Sequence, residues 1–196
     1  MSDPAFWEER FQTGTTFWDL GRPAPPLVGL LRRADAPTPG RAAVLGCGAG
    51  HDAILFALHG FDVTGFDFAP SAIATAQANA RRLRASVRFE LADLFDLGRA
   101  YPGRFDYVVE HTCFSAIDPT RRPEYVAVVR DILRSGGELL AVFFAHPWPG
   151  GPPFTTTAAE INDLFGADFD IQHLDVAQDS VEARRGYELT GTLRRR

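Results

Sequence analysis

From residue 41 onward, short apolar runs alternate with longer stretches whose apolar positions recur at helical spacing. Residues 42–46, 61–67, 86–91, 105–110 and 138–144 read as strands, and 51–59, 70–84 and 121–134 as helices between them. That alternation predicts an α/β fold, with a parallel sheet covered by helices on both faces. Upstream, Asp3 can cap and Pro4 can open a short helix running to about Phe11 and closed by Gly14, with Trp7 and Phe11 on one face. A linker containing Pro23, Pro25 and Pro26 leads to a second helix over 27–33, stopped by Pro37, Pro39 and Gly40. In the tail, Thr157 and Glu160 form a capping-box pair before a helix. Strand-like segments follow at 168–175 and 186–193. With no helix between them, they predict an antiparallel hairpin that closes the sheet. No repeat or low-complexity tract interrupts the chain, and residues 1–196 are expected to form a single domain.

Composition narrows the class. A chain of 196 residues can bury one substantial core without metal or disulfide staples, and 45% hydrophobic content is that of a soluble globular protein. No apolar run approaches the ~20 residues of a membrane span, and Met1-Ser2-Asp3-Pro4 carries neither the basic nor the apolar part of a signal peptide. A cytoplasmic location with no membrane partner is expected. All 20 basic residues are Arg, yet the net charge is −5, which argues against nucleic acid as a partner. Two cysteines, Cys47 and Cys113, make no disulfide framework and are expected to be small buried hydrophobes. The histidines show no metal-ligand spacing, so no metal is expected.

The chemistry concentrates where strands end. Val44-Leu45-Gly46-Cys47-Gly48-Ala49-Gly50 closes the first strand, and Asp67 closes the next. Such glycines let backbone N–H groups approach a ligand at a helix start, and a carboxylate on the neighbouring strand tip can accept both hydroxyls of a ribose. A dinucleotide fingerprint begun at Gly48 would need glycine where Ala53 stands; the form present, G-x-G-x-G, is the one associated with S-adenosylmethionine. Asp93, Glu110 and His111 also follow strands, so four strand ends converge on one crevice at the carboxyl rim of the sheet.

Three segments carry a resemblance to a family. They are Trp7-Glu8-Glu9-Arg10-Phe11 through Phe17-Trp18-Asp19-Leu20-Gly21-Arg22-Pro23; Gly46-Cys47-Gly48-Ala49-Gly50-His51-Asp52; and Glu110-His111 through Ala116-Ile117-Asp118-Pro119 and Arg122-Pro123 to Gly150-Gly151-Pro152-Pro153-Phe154. This ordered set resembles the thiopurine methyltransferase family, and within it the thiol and halide methyltransferase branch. The resemblance implies a Rossmann-like class I methyltransferase, a seven-stranded, mostly parallel sheet with an antiparallel last strand, and S-adenosyl-L-methionine as cofactor, leaving S-adenosyl-L-homocysteine. It places Gly46, Cys47 and Gly48 along the methionine and ribose path, Asp67 and Phe68 at the ribose, Asp93, Leu94 and Phe95 at adenine, and Glu110 and His111 on the far side. Residues 1–34 would be an N-terminal helical lid, with Trp7, Phe11 and Trp18 as lid residues over the cofactor. Phe11 stands where the family often has Trp, and His111 where the thiol and halide branch tends to have Tyr and the thiopurine branch Arg.

Transfer of a methyl group from a sulfonium needs alignment and a dry site more than charge stabilisation. The aromatic lid suits that. Residues 146–154 follow the fifth strand, and Phe144, His146, Trp148 and Phe154 are expected to form an apolar acceptor pocket without an Arg clamp. A small soft nucleophile, such as a thiol, sulfide, selenol or halide, is the expected acceptor of a monomeric enzyme. Two alternatives stay open: an oxygen or nitrogen acceptor with His111 as catalytic base, and a module that binds the cofactor without catalysis.

Overall fold

A computed structural model describes residues 4–196; the cap expected at Asp3 lies outside the described residues. Eight α-helices occur among them: α1 (Pro4–Thr13), α2 (Pro25–Arg32), α3 (His51–Leu58), α4 (Pro70–Leu83), α5 (Leu97–Ala100), α6 (Cys113–Ala116), α7 (Arg122–Ile132) and α8 (Ala158–Phe165). Seven strands alternate with them: β1 (Arg41–Leu45), β2 (Asp62–Asp67), β3 (Val87–Leu91), β4 (Phe105–His111), β5 (Leu133–Phe144), β6 (Phe169–Val176) and β7 (Glu188–Arg195).

They form one sheet in the order β3-β2-β1-β4-β5-β7-β6. The pairs among β1 to β5 are parallel, whereas β7 runs antiparallel to both β5 and β6. The tail hairpin is therefore present, with the last strand inserted inside the sheet instead of added at its edge. Strand order reverses between β1 and β4, which opens a crevice beyond their carboxyl ends.

Alternating residues feed two cores, as the two-residue period of a strand requires. Ala43, Leu45, Val108 and Leu139 face a cluster with Tyr125 and Val129 of α7 and Phe165 of α8. Ala42, Val44, Val109 and Leu140 face the opposite way, onto Leu27 and Leu31 of α2 and Phe56 of α3. Burial of single Leu, Val or Phe side chains at about 1.5–3 kcal/mol each holds both layers to the sheet.

Two local expectations change. Helix α7 ends at Ile132 because Leu133 turns extended (φ −71°, ψ 142°), and β5 begins there, five residues before the expected start. At α8, Thr157 accepts the Glu160 N–H at 3.1 Å, but the Glu160 carboxylate does not return the bond. It bonds to buried Arg122 at 2.6 Å and to the Thr156 hydroxyl at 2.7 Å instead. A buried guanidinium outcompetes a backbone N–H for a carboxylate.

Candidate active site

The carboxyl ends of the central strands surround a cavity of about 420 Å³. Its floor is the turn after β1. Gly46 and Gly48 both adopt left-handed backbone, with φ of +57° and +52°. A Cβ added at Gly46 would stand 2.9 Å from Cys113 Sγ, closer than side chains tolerate, so only glycine keeps the turn and the β4–α6 junction together. At the tip of β2, Asp67 accepts the Gly48 N–H with one oxygen and the Ala69 N–H with the other, each at 2.9 Å. Burial pushes its carboxyl above the usual range, and these backbone donors recover only part of that shift. The carboxylate keeps acceptor capacity for a ligand donor.

The roof is the N-terminal segment. Trp7 and Trp18 meet edge to face at 5.0 Å, and Phe11 meets Trp18 at 5.9 Å, pairs worth about 0.5–1.5 kcal/mol each. The Trp7 Nε1–H is shielded from solvent and has no hydrogen-bond partner among the described residues. Polar contacts hold this roof to the rest of the fold. Glu8 of α1 accepts the backbone N–H of Ser71 at 3.0 Å and its hydroxyl at 2.6 Å, capping α4 from another element. His51 lies 3.2 Å from Asp19, and Asp52 accepts the Ala24 N–H at 2.8 Å. The His-Asp pair after the glycines thus anchors the roof, and the α3 N-cap at Gly50 carries no side-chain bond.

The far wall comes from the β4–α6 junction, the end of β5 and the segment before β7. Thr112 adopts left-handed backbone (φ 61°), a costly state for a β-branched residue, of order 1–3 kcal/mol. Cys113, Ser115 and Ala116 follow it on the wall, facing Phe144, Pro152, Pro153 and Arg184. Burial pushes the Cys113 thiol far up, helped by the charges of Glu110 and Asp67, so it is no nucleophile at neutral pH.

Of the expected residues, Trp7, Phe11, Trp18, Gly46, Gly48, Asp67, Phe68, Leu94 and Phe144 line the cavity. Cys47, Asp93, Phe95, Glu110, His111, His146, Trp148 and Phe154 do not. Asp93 caps the short turn after β3 by accepting the Phe95 N–H at 3.0 Å. Glu110 is fully buried, accepts the Phe114 N–H at 3.0 and 3.1 Å and the Tyr125 hydroxyl at 2.9 Å, and is pushed by burial to about 7. His146 accepts the Trp148 N–H at 3.2 Å and donates to the Pro153 carbonyl at 3.1 Å, while its ring stacks on Trp148 at 5.0 Å. Phe154 donates its N–H to the Ser115 carbonyl at 2.6 Å. The His146 side chain and the Phe154 backbone bond brace the loop that presents Pro152 and Pro153.

His111 is held at both nitrogens, Nδ1 2.7 Å from Asp52 and Nε2 3.2 Å from Arg184. Burial alone would lower its pKa; the charge and hydrogen bond of Asp52, with help from Glu188, outweigh it and leave the imidazole raised. No pattern in the sequence marks Arg184, yet it lines the cavity together with Phe144, one of the residues expected to form a pocket without an Arg clamp. Its guanidinium bonds to the Trp18 carbonyl at 2.6 Å and to buried Glu188 at 3.4 Å, contacts spanning 166 residues and four residues of sequence. No local pattern marks an arginine whose partners lie that far apart.

The residues fit a nucleoside-ended sulfonium ligand: glycine backbone where a side chain would clash, a strand-tip carboxylate with spare acceptors, aromatic faces above, and an indole N–H unpaired among the described residues.

A family model described as thiopurine S-methyltransferase matches residues 2–192. A probable thiol methyltransferase 2 of Arabidopsis thaliana is 30% identical over 94% of this chain and 82% of its own. A thiocyanate methyltransferase 1 of Brassica oleracea is 31% identical over the same shares. Among solved structures, the 1,6-didemethyltoxoflavin-N1-methyltransferase of Burkholderia thailandensis, bound to 1,6-didemethyltoxoflavin and S-adenosylhomocysteine, superposes with a TM-score of 0.78. It is 22% identical, covering 98% of this chain and 86% of that one, and it shares the fold.

Proposed function

Because the chain belongs to the thiopurine S-methyltransferase family and is a methyltransferase, we propose that it uses S-adenosylmethionine to methylate a small soft nucleophile, a thiol, sulfide, selenol or halide. When bound, that cofactor supplies an activated methyl group for in-line displacement. Gly46, Gly48 and Asp67 would hold its nucleoside and amino-acid portions. Trp7, Phe11 and Trp18 would exclude water and lay ring faces near the positive sulfur, a cation–π contact worth about 0.5–2 kcal/mol.

The observation that carries the reading is the makeup of the far wall. It joins apolar Phe144, Pro152 and Pro153 to a single buried cation, Arg184. A guanidinium beside an acceptor favours its anionic form. For a thiol of pKa about 8.5, that is enough to supply thiolate without a base. Holding the nucleophile in line can then account for about 7–11 kcal/mol of barrier lowering. The relatives named as thiol and thiocyanate methyltransferases support the same acceptor class.

Purified protein, labelled donor and a panel of sulfide, small thiols, iodide and thiocyanate, with phenols and amines as controls, test this. Transfer to the sulfur and halide acceptors is expected, with donor affinity reduced about tenfold or more in Asp67→Ala as two acceptor sites are lost. Turnover of the phenols or amines alone, or of nothing, would count against it.

A further inference from the structure

His111 stands at the end of β4 beside the cavity, yet its ring forms none of the wall. A guanidinium can only donate, so Nε2 accepts from Arg184 and the ring proton resides on Nδ1, donated to Asp52. Asp52 is fixed in turn, because its second oxygen accepts the Ala24 N–H. In that state the imidazole has no lone pair left to take a proton from an acceptor. We infer that His111 is a positioning residue: backed by Asp52, it sets the Arg184 guanidinium on the acceptor side of the cavity. The inference rests on the role proposed above for Arg184 as the group that meets the anionic acceptor.

Three charged groups face the ring: Asp52, Arg184 and Glu188, the last 4.0 Å from Nε2. Protonation would set an Nε2–H against the Arg184 N–H at 3.2 Å. Two donors repel, and the new N–H finds its acceptor in Glu188, the carboxylate that Arg184 also uses. Arg184 then loses one partner and shares another. Acceptor binding should therefore weaken as pH falls through the His111 pKa, even for an acceptor that does not itself titrate.

Iodide and thiocyanate are such acceptors. In His111→Gln the amide oxygen can accept from Arg184 and the amide N–H can donate to Asp52, whereas His111→Phe can do neither. The Phe variant should raise KM for iodide about tenfold or more with a smaller change in kcat, and the Gln variant should restore most of that loss and flatten the pH dependence. Nitrogen chemical shifts of labelled histidine at about pH 9 should place the proton of His111 on Nδ1. A rise in KM for iodide in the Gln variant equal to that in Phe, or a proton found on Nε2, would overturn the inference. If the wild type methylates neither iodide nor thiols, the proposed function fails instead; the histidine spectrum and a calorimetric titration with thiocyanate still decide the role of His111.

Discussion

Glu110 sits at the end of β4 with no exposed surface and ties that strand to α6 and to Tyr125 of α7. Its carboxyl is raised from 4.5 to about 7 by burial. In the unfolded chain it ionises near 4.5, so the fold binds an extra proton between those values. Stability is greatest below about pH 4.5 as far as this group is concerned, and falls as pH rises toward 7, by on the order of 3 kcal/mol in all. Glu110→Gln removes the titration. Denaturant melts at pH 5 and pH 7.5 should show a loss with rising pH in the wild type that is largely absent in the variant; equal losses in both would refute the assignment. Cys113, next to this carboxylate and against Gly46, explains why the β1 and β4 ends cannot drift apart without opening the cavity floor.

Helix α1 has no buried residue and a weak apolar face, so packing alone does not fix it. Its attachment is polar and local: Glu8 on the first turn of α4, held below the usual carboxylate range by the Ser71 hydroxyl and then by its backbone N–H. An element without a buried residue, held to α4 by one side chain among the described contacts, opens readily. Glu8→Ala should speed dissociation of S-adenosylmethionine severalfold while leaving the melting temperature of the free protein nearly unchanged. Stopped-flow tryptophan fluorescence, with Trp7 and Trp18 as reporters, measures the rate; an unchanged rate would mean that Glu8 is not the latch. Helix α7 shows a different economy, because its buried Arg122 ties α8, through Glu160, to the loop ending at Phe154. The capping-box pattern in the sequence predicts a return bond from Glu160 to the Thr157 N–H; its carboxylate bonds instead to a partner 38 residues away.

Across the whole molecule, what could be read from the sequence was what local chemistry enforces. The strands carry β-branched and aromatic runs, the turn at Gly46 to Gly50 needs positive φ, and Asp67 sits where a strand must stop; each follows from a few adjacent residues. The insertion of β7 between β5 and β6, the left-handed Thr112 and the placement of Arg184 depend on contacts between distant segments, and no window of sequence contains them. Glu110 and His111 were placed beside the crevice by the strand-end rule, which fixes where a Cα lies but not which way its side chain points. The cavity also makes a global prediction. Donor at about 100 times its Kd should stabilise the folded chain by about 2.7 kcal/mol, and for a protein of this size raise the melting temperature by roughly 5–11 °C. A thermal scan with and without S-adenosylmethionine checks it, and no shift would exclude binding to the folded state.

Because β7 threads between two strands made before it, the sheet stays split until Glu188–Arg195 arrives. The arginine that finishes the far wall precedes that strand by only a few residues. During synthesis the glycine turn, Asp67 and the residues of the aromatic roof all emerge while Arg184, the cation of the far wall, is still absent. A nascent chain would thus be able to capture a cofactor well before it could use one, and maturation of this enzyme would end with the chemistry, not with the binding.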